Sequence, residues 1–195
     1  KLTSHKKFGE ALAILAGDAL LTDAFTLFLT KSNGNITKAG SYLAKAAGGR
    51  GMILGQTLDL NIKEEERGVD TLDKINYYKT GCMIEASIVG PALLFNARKE
   101  IVSSLENYAK NIGLAFQITD DILDVIADEK ELGKPTGSDA KLNKKTYPAL
   151  LGIEESYKRA KLFINEAKES LKIIEPSEYK EILLDFTDYI VNRKN

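Results

Sequence analysis

Gln117, Asp120, Asp121, Asp124 and Asp128 recur at a spacing that places them in one stripe of a helix turning about 100° per residue. Ile118, Ile122, Leu123, Val125 and Ile126 fall on its other sides and suit a buried wall. Like charges three and four residues apart repel by a few tenths of a kcal/mol per pair. A structural helix gains nothing from that repulsion, so the stripe calls for a cation to offset it. Mg²⁺ takes oxygen ligands and shares them with substrate phosphates. This assigns Asp120, Asp121 and Asp124 to a metal, Mg²⁺ or Mn²⁺ in its place, with Asp128 outside the set as a cap or solvent-facing acid. The bland alternative, a solvated acidic face on an amphipathic helix, is the ordinary reading of an isolated DDxxD.

The surroundings favour the chemical reading. Phe116-Gln117-x-x-Asp120-Asp121-x-x-Asp124, then Leu132-Gly133-Lys134, Asp139 and Lys144, resembles the second aspartate-rich region of trans-isoprenyl diphosphate synthases of the bacterial farnesyl/geranylgeranyl type. Further matches lie in family order: His5 to Ala11 running into Leu15 to Leu20, Gly51-Met52, Gly55-Gln56 with Leu58-Asp59-Leu60, Lys79-Thr80-Gly81, and Lys145 to Gly152.

The resemblance implies an all-α antiparallel bundle of the isoprenoid synthase type, occupying 1–195 as one helical domain. It implies condensation of an allylic diphosphate with isopentenyl diphosphate, and a homodimer. In that reaction the metal and lysines stabilise departing pyrophosphate, so no side-chain nucleophile is needed. Asp120, Asp121 and Lys79 are then the catalytic set. Lys79, Thr80, Gln117, Lys134 and Lys144 are substrate ligands, Lys79 having otherwise the character of a surface lysine. His5 falls where the family often has a histidine and reads as structural.

The resemblance also has a gap. The family's first aspartate-rich motif, its arginines and the residues that set product length find no counterpart, and Leu2 stands where proline is usual. The expectation is a chain truncated at its N-terminus, of little or no activity alone, with apolar faces left open. Two other readings remain: a class I terpene cyclase, and a non-catalytic partner that binds prenyl diphosphates or regulates a full synthase.

Bulk properties are compatible. A chain of 195 residues with 44% hydrophobic content can bury a sizeable core. A formal net charge of −1 gives no footprint for nucleic acid. One cysteine, Cys82, excludes an internal disulfide and points to a reducing, cytoplasmic setting. The start Lys-Leu-Thr-Ser-His does not read as a signal peptide. Ala11 to Leu29 is apolar but broken by Asp18 and Asp23, so it is read as a buried helix and no membrane span is expected.

Helices are expected over Lys6 to Thr30, capped by Thr3 or Ser4, and Thr37 to Leu60, interrupted at Gly48 to Gly51. Asn33-Gly34-Asn35 reads as a turn and Glu64 to Gly68 as an exposed loop. Further helices span Thr71 to Phe95, opened by an Asp70/Asp73 capping box, and Arg98 to Asp128. A polar loop, Glu129 to Lys145, has the length of a lid. Pro148 suits the start of the next helix, and amphipathic helices over Glu155 to Ile173 and Glu178 to Val191 close the chain.

Overall fold

The computed structural model describes residues 2–31, 33–126 and 145–193. Asp128, Lys134, Asp139, Lys144 and nearly all of the expected lid loop lie outside the described residues. The described elements are helical, without strands among them: α1 (Ser4–Phe8), α2 (Glu10–Thr30), α3 (Gly34–Ala47), α4 (Met52–Asn61), a 3-10 turn (Glu64–Glu66), α5 (Val69–Asn76), a π segment (Tyr77–Gly81), α6 (Cys82–Leu94), α7 (Lys99–Ile126), α8 (Tyr147–Leu151), α9 (Ile153–Ser170), a 3-10 turn (Leu171–Ile173) and α10 (Glu178–Asn192).

The long helix α7 is the spine. Its Tyr108, Ile112 and Ala115 are buried against Ile164 and Ala167 of α9, Leu171 of the 3-10 turn that follows it, and Ile190 of α10. One turn on, Ile118 and Ile122 bury against Leu72, Ala160 and Tyr147. Complete burial of an aliphatic or aromatic side chain is worth about 1.5–3 kcal/mol. This apolar face therefore fixes the rotation of α7, and with it the direction of the acidic stripe.

Several boundaries differ from expectation, each for a local reason. Gly9 at φ 89° splits the first helix into α1 and α2. Thr3 sits at the N-cap of α1 but makes no capping bond. Asn33 opens α3 instead of a turn, its Oδ1 accepting the Asn35 and Ile36 N–H groups at 3.1 and 3.0 Å. The capping box does not form: α5 starts behind Gly68, and Asp73 turns to Arg159 and Tyr147.

The expected burial of the first long helix is corrected too. No residue of α2 is buried, because its principal neighbours are only α1 and α3. Leu12, Leu20 and Leu29 are exposed. By length and composition alone α2 is apolar enough to cross a membrane despite Asp18 and Asp23, a test that core helices of soluble proteins also pass.

Candidate active site

The acidic stripe survives as geometry. Gln117, Asp120 and Asp121 are half-buried and Asp124 is buried on α7. Asp121 Oδ2 accepts the Tyr147 backbone N–H at 3.2 Å. Asp120 Oδ1 faces Arg193 at 3.4 Å. The Arg193 guanidinium lies 4.0 Å from the centre of the Phe116 ring and donates to the Phe116 carbonyl at 3.3 Å. Burial pulls the Arg193 pKa down, opposed by the Asp120 carboxylate. Sequence reasoning missed Arg193: nothing local in a basic residue after the last helix marks it as a neighbour of Asp120.

Among the described residues no group of three or more His, Cys, Asp and Glu side chains is arranged to hold a metal ion. The donor set still fits Mg²⁺, which is ordinarily held by one or two carboxylates while phosphates and water complete its shell.

Lys79 belongs to the π segment and is no free surface lysine. Its Nζ donates to Asp59 Oδ2 at 2.7 Å. Arg67 holds the same residue from the other side, 3.0 Å to Oδ1 and 2.7 Å to the Asp59 carbonyl. Glu65, Glu66 and Gly68 are exposed as expected of a loop, but the Arg67 side chain is only 5% exposed, which corrects the expectation at that residue. In the sequence Asp59 belongs to the Leu58-Asp59-Leu60 match and carries no assigned role. Twenty residues separate it from Lys79, and no periodicity links them.

Glycines permit this arrangement. A Cβ on Gly55 would lie 2.1 Å from the Lys79 nitrogen, so α4 crosses the π segment backbone to backbone. A Cβ on Gly113 would meet the Gly81 Cα at 3.1 Å, as expected from the cost of Gly81 inside a helix. The π segment thus seats against α4 on one side and α7 on the other, a setting in which single π turns recur at functional sites. Thr80 lies half-buried beside Lys79.

Glu106 and Lys110 precede Gln117 by eleven and seven residues, so they continue the stripe by register. They line a cavity of about 460 Å³ with Tyr42, Lys45, Tyr77 and Glu85. Glu85 accepts the Tyr42 hydroxyl and, at 3.0 Å, the Tyr77 hydroxyl. Cys82, also on this cavity, is buried. Burial pushes its thiol pKa up, with Glu85 adding, so it is not poised as a nucleophile.

Burial, then Glu85, pushes the Tyr42 and Tyr77 hydroxyls above the usual phenolic range. Burial does the same to Tyr108, and burial with Asp73 to Tyr147. A raised folded pKa gives stability that is present below the unfolded value and lost as pH rises toward the folded one. Stability should therefore fall above about pH 10, by up to about 1.4 kcal/mol per pH unit for each of the fully buried Tyr108 and Tyr147, and by less for the part-exposed Tyr42 and Tyr77. Urea midpoints followed by circular dichroism at pH 9 and 11.5 check this.

Comparison with known proteins points one way. A family model described as polyprenyl synthetase matches residues 1–182. The chain is 46% identical over 200 residues to the dimethylallyltranstransferase of Fischerella ambigua, covering 99% of this chain and 57% of that protein. It is 42% identical to the farnesyl diphosphate synthase of Escherichia coli, covering 98% of this chain and 66% of that one. The crystal structure of geranyltransferase from Helicobacter pylori, complexed with magnesium and isoprenyl diphosphate, superposes with a TM-score of 0.80 at 31% identity. That match covers 98% of this chain and 63% of the other. The chain thus spans between 57 and 66% of the length of these relatives.

Proposed function

The chain belongs to the polyprenyl synthetase family, and on that footing we infer that it serves head-to-tail prenyl transfer, joining an allylic diphosphate to isopentenyl diphosphate. The observation that carries this reading is the α7 stripe, where Asp120, Asp121 and Asp124 share one rotation fixed by the buried face behind them. In this reading those carboxylates hold Mg²⁺, or Mn²⁺ in its place. When bound, the ion supplies positive charge at the departing pyrophosphate. Gln117 adds a neutral hydrogen-bonding group on the same stripe. A cytoplasmic homodimer completes the proposal.

Lys79 binds diphosphate with Thr80 beside it. Its present partner gives that role a physical form. Asp59, anchored by Arg67, holds the ammonium in a part-buried position, and a pyrophosphate carrying more charge competes for the same donor. Lys134 and Lys144 are assigned to the same anion. The lysines and the metal-holding acids act on the charge that develops as the allylic C–O bond ionises. The double bond of isopentenyl diphosphate then attacks, and a proton leaves to the released pyrophosphate.

Product analysis separates elongation from cyclisation. A chimera in which the Escherichia coli relative supplies the part of its length that this chain leaves unmatched is incubated with Mg²⁺ and radiolabelled isopentenyl diphosphate. The expected outcome is label in a longer prenyl diphosphate, dependent on geranyl diphosphate. Cyclic hydrocarbon from farnesyl diphosphate alone would instead assign a terpene cyclase.

A further inference from the structure

We propose that Tyr147 is the positioning residue for Asp121: it is fastened at its hydroxyl to α5 and, through Asp73, to α9, and its backbone N–H fixes the direction of the Asp121 carboxylate. The proposal rests on the reading of Asp121 as a metal-holding acid.

The contact itself is unusual in its partners. Tyr147 opens α8, and the first N–H groups of a helix have no partner within it. Thr146, at the N-cap, makes no side-chain bond to them. Asp121 Oδ2, twenty-six residues earlier, accepts the Tyr147 N–H instead, at 3.2 Å. The position of that N–H is set by the ring. Tyr147 is fully buried, packed with Leu72, Ile118, Ile122 and Ala160.

At the far end the hydroxyl donates to Asp73 Oδ1 at 2.7 Å and accepts from Asn76 Nδ2 at 3.4 Å. Asp73 Oδ2 is ion-paired to Arg159 of α9, whose guanidinium lies 5.2 Å from the centre of the Phe163 ring. A buried hydroxyl cannot leave such partners without a desolvation cost. Shifting Tyr147 along α7 would break this bond, so the backbone N–H stays where Asp121 needs it. Groups that hold a ligating carboxylate from behind ordinarily set metal affinity within a factor of 10–100.

Tyr108 provides the control. It is equally buried on α7, and its hydroxyl donates to the Leu183 carbonyl at 2.7 Å, within a cluster that does not include Tyr147. Uptake of inorganic pyrophosphate in MgCl₂ by the full chain is measured by calorimetry, with helix content followed by circular dichroism. Tyr147→Phe is expected to weaken Mg²⁺-dependent uptake about tenfold with helix content retained. Tyr108→Phe should lower the urea midpoint and leave uptake within about twofold.

Equal losses in the two variants, or wild-type uptake by Tyr147→Phe, would overturn the proposal. If Tyr147→Phe loses helix content, Asp73→Ala carries the same test: it removes the acceptor of the hydroxyl and leaves the ring in place, so uptake should fall, and unchanged uptake would again overturn the proposal. Asp121→Asn separates the two levels, since undiminished uptake there, or none by the wild-type chain, removes the metal reading itself.

Discussion

Asp120→Ala and Asp121→Ala are each expected to lower kcat/KM for condensation of geranyl diphosphate with isopentenyl diphosphate by about a thousandfold, or ~4 kcal/mol of transition-state stabilisation. The assay is run in the chimera completed from the Escherichia coli relative. The two losses should differ in their origin. Asp120 lies opposite Arg193, so its removal also leaves a part-buried guanidinium without that carboxylate. Asp121 meets the Tyr147 N–H, so its removal also uncaps α8. Stability measured alongside separates these costs from the chemistry. A loss in rate far exceeding the shift in urea midpoint is the expected pattern. Asp128→Ala should change the rate by less than about threefold.

Gly55→Ala is expected to be the most damaging small substitution outside the acidic stripe. The added Cβ would sit 2.1 Å from the Lys79 nitrogen, 2.5 Å from its Cα and 2.6 Å from the Tyr78 carbonyl carbon. All three are backbone atoms, so no side chain can rotate away. Helix α4 must therefore lift from the π segment. Asp59 follows Gly55 by one turn on the same helix face and would be carried with it.

Separating Asp59 from Arg67 and Lys79 leaves buried or part-buried charges without their partner, worth about 3–5 kcal/mol. The steric term adds about 1–3 kcal/mol. Urea denaturation should show either a loss of that order or failure to fold. Gly17→Ala in α2 is the contrast: nothing lies within 4 Å of the added Cβ. Helix propensity there should make the change neutral or stabilising by up to about 1 kcal/mol.

What the sequence made legible follows from range. The apolar period of α7 is local, and its expected span of Arg98 to Asp128 encloses the observed Lys99–Ile126. The α9 and α10 patterns and Pro148 at the start of α8 are local in the same sense. The cost of Gly81 correctly pointed to a close neighbour, because a glycine inside a helix is a local anomaly whatever its cause.

Tertiary choices were not legible. Asp70 and Asp73 have capping-box spacing, yet Asp73 is taken by Arg159, 86 residues away, and by the Tyr147 hydroxyl. Arg67 sits in a run of acids that reads as solvated, but Asp59 draws it inside. The composition of α2 reads as a core helix, while burial depends on what packs around it, and α1 and α3 leave most of it open. Among candidate ligands, the resemblance singled out Lys79, whereas its anchoring by Asp59 and Arg67 required coordinates. Arg193, which meets Asp120, carries no sequence signal stronger than its residue type, and Tyr147 lies in the matched Lys145 to Gly152 stretch, but its contact with Asp121 required coordinates.

Calorimetry of inorganic pyrophosphate binding in MgCl₂, compared between the parent protein and an Asp120→Asn, Asp121→Asn, Asp124→Asn variant, tests the central claim most directly. The three amides keep side-chain size and oxygen acceptors while removing the negative charge that holds a divalent cation. The expected result is loss of Mg²⁺-dependent binding by more than about a hundredfold, with helix content retained. Undiminished Mg²⁺-dependent binding by the triple variant would contradict the assignment of the α7 stripe.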